Sequence, residues 1–219
     1  PPPGPMTEQL RLHTEDGLSL EAELDGARSA ERVLVFCHPH PKMGGTMNAP
    51  LLLTVRDPLV ENGWAVLRFN FRGIGDSEGE AGIGHDERRD VRAALAEAAR
   101  LLPDAALALA GWSFGAAVAL RVAGDEEDLR AVVAIAPAVK EKPGVTAGLP
   151  PPEETRLGAP TLFIVGANDD LTAPQDCREW AESAGAEFIE MPGANHFFWA
   201  KYPQLAAEIE GFLDRHVRV

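Results

Sequence analysis

The sequence predicts a mostly parallel α/β sheet with helices on both faces, and three observations predict it. Continuous apolar runs such as Val33-Leu34-Val35-Phe36-Cys37 and Ala131-Val132-Val133-Ala134-Ile135 have the pattern of strands buried on both faces. Segments of helical period lie between these runs, so strand and helix alternate along the chain. At one junction an apolar run ends in Gly111-Trp112-Ser113-Phe114-Gly115 and a helical run begins at once.

In chain order, residues 10–14 and 18–25 alternate apolar and polar around Asp16-Gly17, as an antiparallel hairpin at a sheet edge does. Residues 33–37 form the first buried strand, and a helix over 48–62 closes on Gly63, a residue suited to a left-handed cap. A strand over 64–71 leads into a Gly- and Asp-rich loop. Val91, Leu95, Ala98 and Leu102 sit at helical spacing within 86–102, and Pro103 stops that helix. Residues 105–110 are the strand before the Ser113 turn, 113–123 the helix after it, and 131–135 the next strand. Six prolines fall within 136–160, so this stretch reads as a mobile surface loop near the site rather than a helical cap. A strand over 161–166, a helix over 175–184, a strand over 187–191 and a helix over 202–216 complete the alternation.

Composition bounds the function. The net charge of −14 argues against a nucleic-acid partner, which needs a basic face. No run of eighteen or more apolar residues exists, so no membrane partner is expected and a cytoplasmic location follows. Cys37 and Cys177 lie far apart without metal-ligand spacing, so neither a zinc site nor a disulfide framework is expected. Residues 1–5 read as a disordered cloning remnant ahead of Met6, and 6–219 as one domain. Composition does not set an oligomeric state.

The pattern Gly-x-Ser-x-Gly occurs twice, at Ser77 and at Ser113. It marks a nucleophile only between a strand and a helix, and Ser113 alone has both flanks. A serine hydroxyl needs a base to take its proton and an acceptor to orient that base. His196 follows the last strand, whereas His13 falls in the hairpin, His85 before a helix and His216 at the chain end. The acid is Asp169 or Asp170, directly beyond the strand at 161–166. Asp169 is preferred, since adjacent turn side chains diverge and the other aspartate then serves as a turn or cap residue.

A tetrahedral oxyanion needs two preorganised N–H donors. The residue after the nucleophile, Phe114, supplies one. In Pro39-His40-Pro41 only His40 has an N–H to give, and the flanking prolines stiffen it. A competing metal site at His38 and His40 lacks a third ligand of suitable spacing. Met43, Trp112 and Phe197 are candidates to line an apolar substrate pocket, with Phe114, Phe198 and Trp199 nearby; plain core packing is the alternative for each.

With these residues assembled, the sequence resembles the α/β-hydrolase superfamily over nearly its whole length. More narrowly, it resembles the small capless bacterial group related to dienelactone hydrolases, with serine in place of their cysteine nucleophile. The matching stretches are His38-Pro39-His40-Pro41 with Gly44-Gly45-Thr46-Met47, then Trp64 through Gly73, Gly111-Trp112-Ser113-Phe114-Gly115, and Gly193-Ala194-Asn195-His196-Phe197-Phe198. The resemblance implies nucleophile Ser113, acid Asp169, base His196 and oxyanion donors His40 and Phe114, without cofactor or metal. The function expected is hydrolysis of short-chain or small carboxylic esters through an acyl-enzyme. A thioesterase or acyltransferase on the same triad, or a non-catalytic binding module on the same fold, are the alternatives.

Overall fold

The computed structural model describes residues 6–218, so the remnant expected at 1–5 lies outside the described residues. The strands are β1 (Thr7–His13), β2 (Ser19–Asp25), β3 (Arg32–Cys37), β4 (Ala65–Phe69), β5 (Ala106–Trp112), β6 (Leu129–Ile135), β7 (Thr161–Gly166) and β8 (Glu187–Met191). They form one eight-stranded sheet in the order β1-β2-β4-β3-β5-β6-β7-β8. β1 pairs antiparallel with β2, and β2 with β4; every other pairing is parallel. The helices are α1 (Pro50–Glu61), α2 (Glu87–Leu101), α3 (Phe114–Ala123), α4 (Pro174–Ser183) and α5 (Tyr202–His216).

Side chains alternate across each central strand, so a continuous apolar run feeds both faces. Val33, Val35 and Cys37 of β3 join the core beneath α2, α3 and α4, while Leu34 and Phe36 join the core beneath α1 and α5. β1 and β8 are the sheet edges. Both carry charged residues: Glu8 pairs with Arg28, and Glu187 and Glu190 with Arg215 and Arg178.

Two arginines buried near β4 tie this framework together. Arg68 binds Asp25 at 2.9 Å and also donates to the Met47 carbonyl at 2.8 Å, joining β2 to the segment that leads into α1. Arg72 makes hydrogen bonds to Asp90 on α2 and to Asp16 in the first hairpin. Buried guanidinium groups persist only when nearly every N–H is matched in this way.

The Pro-rich stretch 136–160 contains no α-helix, as expected, but it is pinned rather than loose. Ala147 N–H donates to Ile83 O at 2.7 Å, and the Arg121 guanidinium on α3 donates to Ala147 O and Gly148 O. Trp180 of α4 donates its indole N–H to Pro150 O. Prolines lack an N–H but keep their carbonyls, and Pro150 uses its carbonyl to hold Trp180.

A close backbone contact joins α3 to the end of β3. A Cβ on Gly115 would lie 2.3 Å from the His38 carbonyl oxygen, and one on Gly111 would lie 2.5 Å from Gly115 C. Gly115→Ala is therefore expected to cost about 2–3 kcal/mol. That lowers the thermal unfolding midpoint by roughly 5–10 °C for a chain of this length. Gly158→Ala, at a position open to solvent, should leave the midpoint within a degree or two. A calorimetric scan of both variants decides, and equal midpoints would refute the close-approach account.

Candidate active site

Ser113 stands between β5 and α3 with φ 56° and ψ −114°, a conformation rarely adopted by residues with a side chain. The surrounding backbone over-determines it. Its N–H donates to Ile135 O at 2.7 Å, and its carbonyl accepts from Ala117 N–H at 3.1 Å. The other Gly-x-Ser-x-Gly serine is part of the scaffold: Ser77 Oγ donates to Asn70 O and accepts from Glu21 N–H.

The structure brings Ser113, His196 and Asp169 into one chain of hydrogen bonds. His196 Nε2 lies 3.0 Å from Ser113 Oγ, and His196 Nδ1 lies 2.7 Å from Asp169 Oδ2. The remaining carboxylate oxygen of Asp169 accepts from the N–H groups of Leu171 at 2.9 Å and Thr172 at 2.7 Å. Both oxygens of this fully buried carboxylate are thus satisfied. Asp170, one step on, is exposed. The two loops that carry acid and base are joined by Asn168 N–H donating to Ala194 O at 2.8 Å. Gly166 permits that contact, since a Cβ there would lie 2.5 Å from the same oxygen.

A cavity of about 390 Å³ opens beside Ser113. His196, His40 and Phe114 border it, as do the three expected pocket residues Met43, Trp112 and Phe197. Trp112 also donates its indole N–H to His196 O at 3.2 Å, so it positions the loop as well as lining the cavity. Phe198 is instead core, and exposed Trp199 stacks on Phe197. Phe114 is the first residue of α3, so its N–H has no intrahelical acceptor. The His40 N–H likewise has no acceptor among the described residues. Sequence reasoning missed Lys142, Val145 and Thr146 at the cavity wall, because a Pro-rich stretch carries no periodicity that says which way its side chains point.

A family model described as serine aminopeptidase, S33, matches residues 29–157. A solved protein of unknown function from Agrobacterium tumefaciens, assigned to the α/β hydrolases, is 28% identical, with TM-score 0.83 and 95% of each chain covered. A lidless α/β serine hydrolase from Xanthomonas campestris is also 28% identical, with TM-score 0.81, covering 97% of this chain and 96% of that one. The esterase Est1E of Butyrivibrio proteoclasticus, solved with ferulic acid bound, shares the fold at 16% identity and TM-score 0.82, over 95% of this chain and 99% of that one.

His38 and His40 serve as brackets, and all four ring nitrogens have protein partners. His38 Nδ1–H donates to Pro39 O at 2.7 Å and Nε2 accepts from Phe71 N–H at 3.0 Å. His40 Nε2–H donates to Val145 O at 2.9 Å while Nδ1 accepts from Lys42 N–H at 3.1 Å. This leaves no lone pair for the metal site weighed above. Burial pushes the His38 pKa down from 6.5 to about 4. The folded state therefore holds His38 neutral where the unfolded chain protonates it, so its contribution is complete above pH 6.5 and is lost as pH falls toward 4. The loss amounts to roughly 3 kcal/mol. Urea denaturation at pH 7 and pH 5 should show wild type losing more stability on acidification than His38→Asn, whose amide does not titrate. Equal losses would refute the assignment.

Proposed function

The chain belongs to the serine aminopeptidase S33 family of α/β hydrolases, and from that membership we propose that it is a serine hydrolase that cleaves small carboxylic esters through an acyl-enzyme. The observation that carries the reading is the unbroken run from buried Asp169 through His196 to Ser113 at the floor of a small cavity.

In this reading Ser113 Oγ attacks the ester carbonyl while His196 Nε2 takes its proton. Asp169, held by two N–H donors, keeps the Nδ1–H tautomer and stabilises the imidazolium that forms. The N–H groups of His40 and Phe114 receive the oxyanion, each contributing about 3 kcal/mol. Collapse of the tetrahedral intermediate breaks the carbon–oxygen bond to the alcohol, which leaves with the proton from His196. Water then attacks the acyl-enzyme, His196 again taking a proton, and the acid product departs as Ser113 is restored.

The walls favour an ester over a peptide N-terminus. An aminopeptidase holds the substrate's ammonium with an acidic group, and no Asp or Glu among the described residues borders the cavity. The size of the cavity and the lack of a helical cap favour small esters. The ferulic acid bound by the Butyrivibrio esterase is a small carboxylic acid, in keeping with this reading on the same fold.

A fluorophosphonate probe followed by peptide mass spectrometry should place a single adduct on Ser113. On p-nitrophenyl butyrate, Ser113→Ala should lower kcat by about 10⁴-fold or more. Labelling elsewhere, or activity that survives Ser113→Ala, would refute the nucleophile. The acid is tested separately. Asp169→Asn should lower kcat by about 10⁴-fold by imposing the wrong histidine tautomer, and Asp170→Asn should leave it near wild type; the reverse result would exchange their roles.

A further inference from the structure

The cavity beside Ser113 carries one formal charge that the ester-hydrolase mechanism does not use. Lys142, from the pinned Pro-rich stretch, is the one Lys, Arg, Asp or Glu among the described residues that border it. Its ammonium donates to Leu171 O at 2.9 Å. That bond occupies one of three N–H donors and supplies no counter-charge. Both Lys142 and Lys140, two residues earlier, are exposed, but Lys140 pairs with Asp176 at 2.8 Å. In a chain with 34 acidic and 20 basic residues, carboxylates are abundant, yet Lys142 has no ion pair among the described residues.

Its setting decides what it can bind. Lys142 stands at the mouth of the cavity, among the exposed side chains of Met43, Val145 and Leu171, with half-buried Phe197 further in. A charge-assisted hydrogen bond at this mouth is stronger than a neutral one, although water and salt reach it. The overall charge of −14 repels anions at long range, but those charges are spread over the surface and screened beyond about 8 Å at physiological salt. At hydrogen-bond distance the charge of Lys142 outweighs them. A single ammonium with two donors to spare neutralises a singly charged carboxylate, whereas a doubly charged phosphate would keep one charge uncompensated.

We infer that Lys142 selects esters that carry a carboxylate, the half-esters of small dicarboxylic acids being the simplest members of the class. The inference rests on the ester-hydrolase reading of Ser113. It assigns Lys142 no part in the chemical step; the residue binds the far end of the substrate and fixes its orientation.

The test compares kcat/KM for monomethyl glutarate and methyl valerate, which have equal chain length and differ by the carboxylate, followed by pH-stat titration. Lys142→Met should lower the glutarate-to-valerate ratio about tenfold, and Lys142→Glu should lower it further. Lys142→Arg should keep most of the preference. Lys140→Met, with the same change in net charge two residues away, should keep the wild-type ratio, and 1 M NaCl should narrow the gap between wild type and Lys142→Met. A ratio unchanged in Lys142→Met, or lowered equally by Lys140→Met, overturns the role of Lys142 while leaving the esterase reading intact. A protein that turns over neither ester and takes no fluorophosphonate overturns that reading and this inference with it.

Discussion

The site depends on one close approach, that of Gly115 to the His38 carbonyl. Because nothing larger than hydrogen fits there, the first turn of α3 rests directly on the backbone that leaves β3. Two consequences follow. Ser113, caught between β5 and the seated helix, is forced to positive φ and held out from the sheet end. The His40 segment is fixed relative to Phe114, so both proposed oxyanion donors belong to one rigid body. Preorganised donors need no rearrangement when charge develops, which is why such sites work by electrostatics at low reorganisation cost.

Around that contact the loops are held by polar groups used in pairs. His38 reaches from the end of β3 to Phe71 beyond β4, and His40 reaches across to Val145 in the Pro-rich stretch. Asp169 spends one oxygen on its own turn and the other on His196. Each bracket buries a donor and an acceptor together, so removing one partner strands the other and costs more than the bond itself contributes. The rim is therefore cooperative: no loop of the site keeps its position by its own sequence alone.

This explains what could be read in advance. The strand over 161–166 lies where the apolar pattern put it, because burial on both faces of a sheet leaves a continuous signature; the edge strand over 187–191 and the helix over 202–216, each with one apolar face, also lie where expected. Ser113 and His196 were legible through their place after predicted strands. The choice between Asp169 and Asp170 stayed open in the sequence; in space the Asp169 carboxylate turns inward to His196 while Asp170 is exposed. The Pro-rich stretch reads as mobile from composition alone, which does not show its anchors, Arg121 and Trp180, because they lie on other elements. Composition reports local backbone freedom, and long-range hydrogen bonds to carbonyls override it. Lys142 went unnoticed for the same reason.

The edge strands bear on how the protein behaves when crowded. An open sheet ends in rows of unpaired backbone groups that can recruit another strand. Here Glu8 on one border, and Glu187 and Glu190 on the other, are each tied to an arginine at the perimeter. A strand approaching either border meets fixed charge before it meets an open ladder. Surface ion pairs that add little to folding stability thus gain a second role, as a guard on colloidal behaviour.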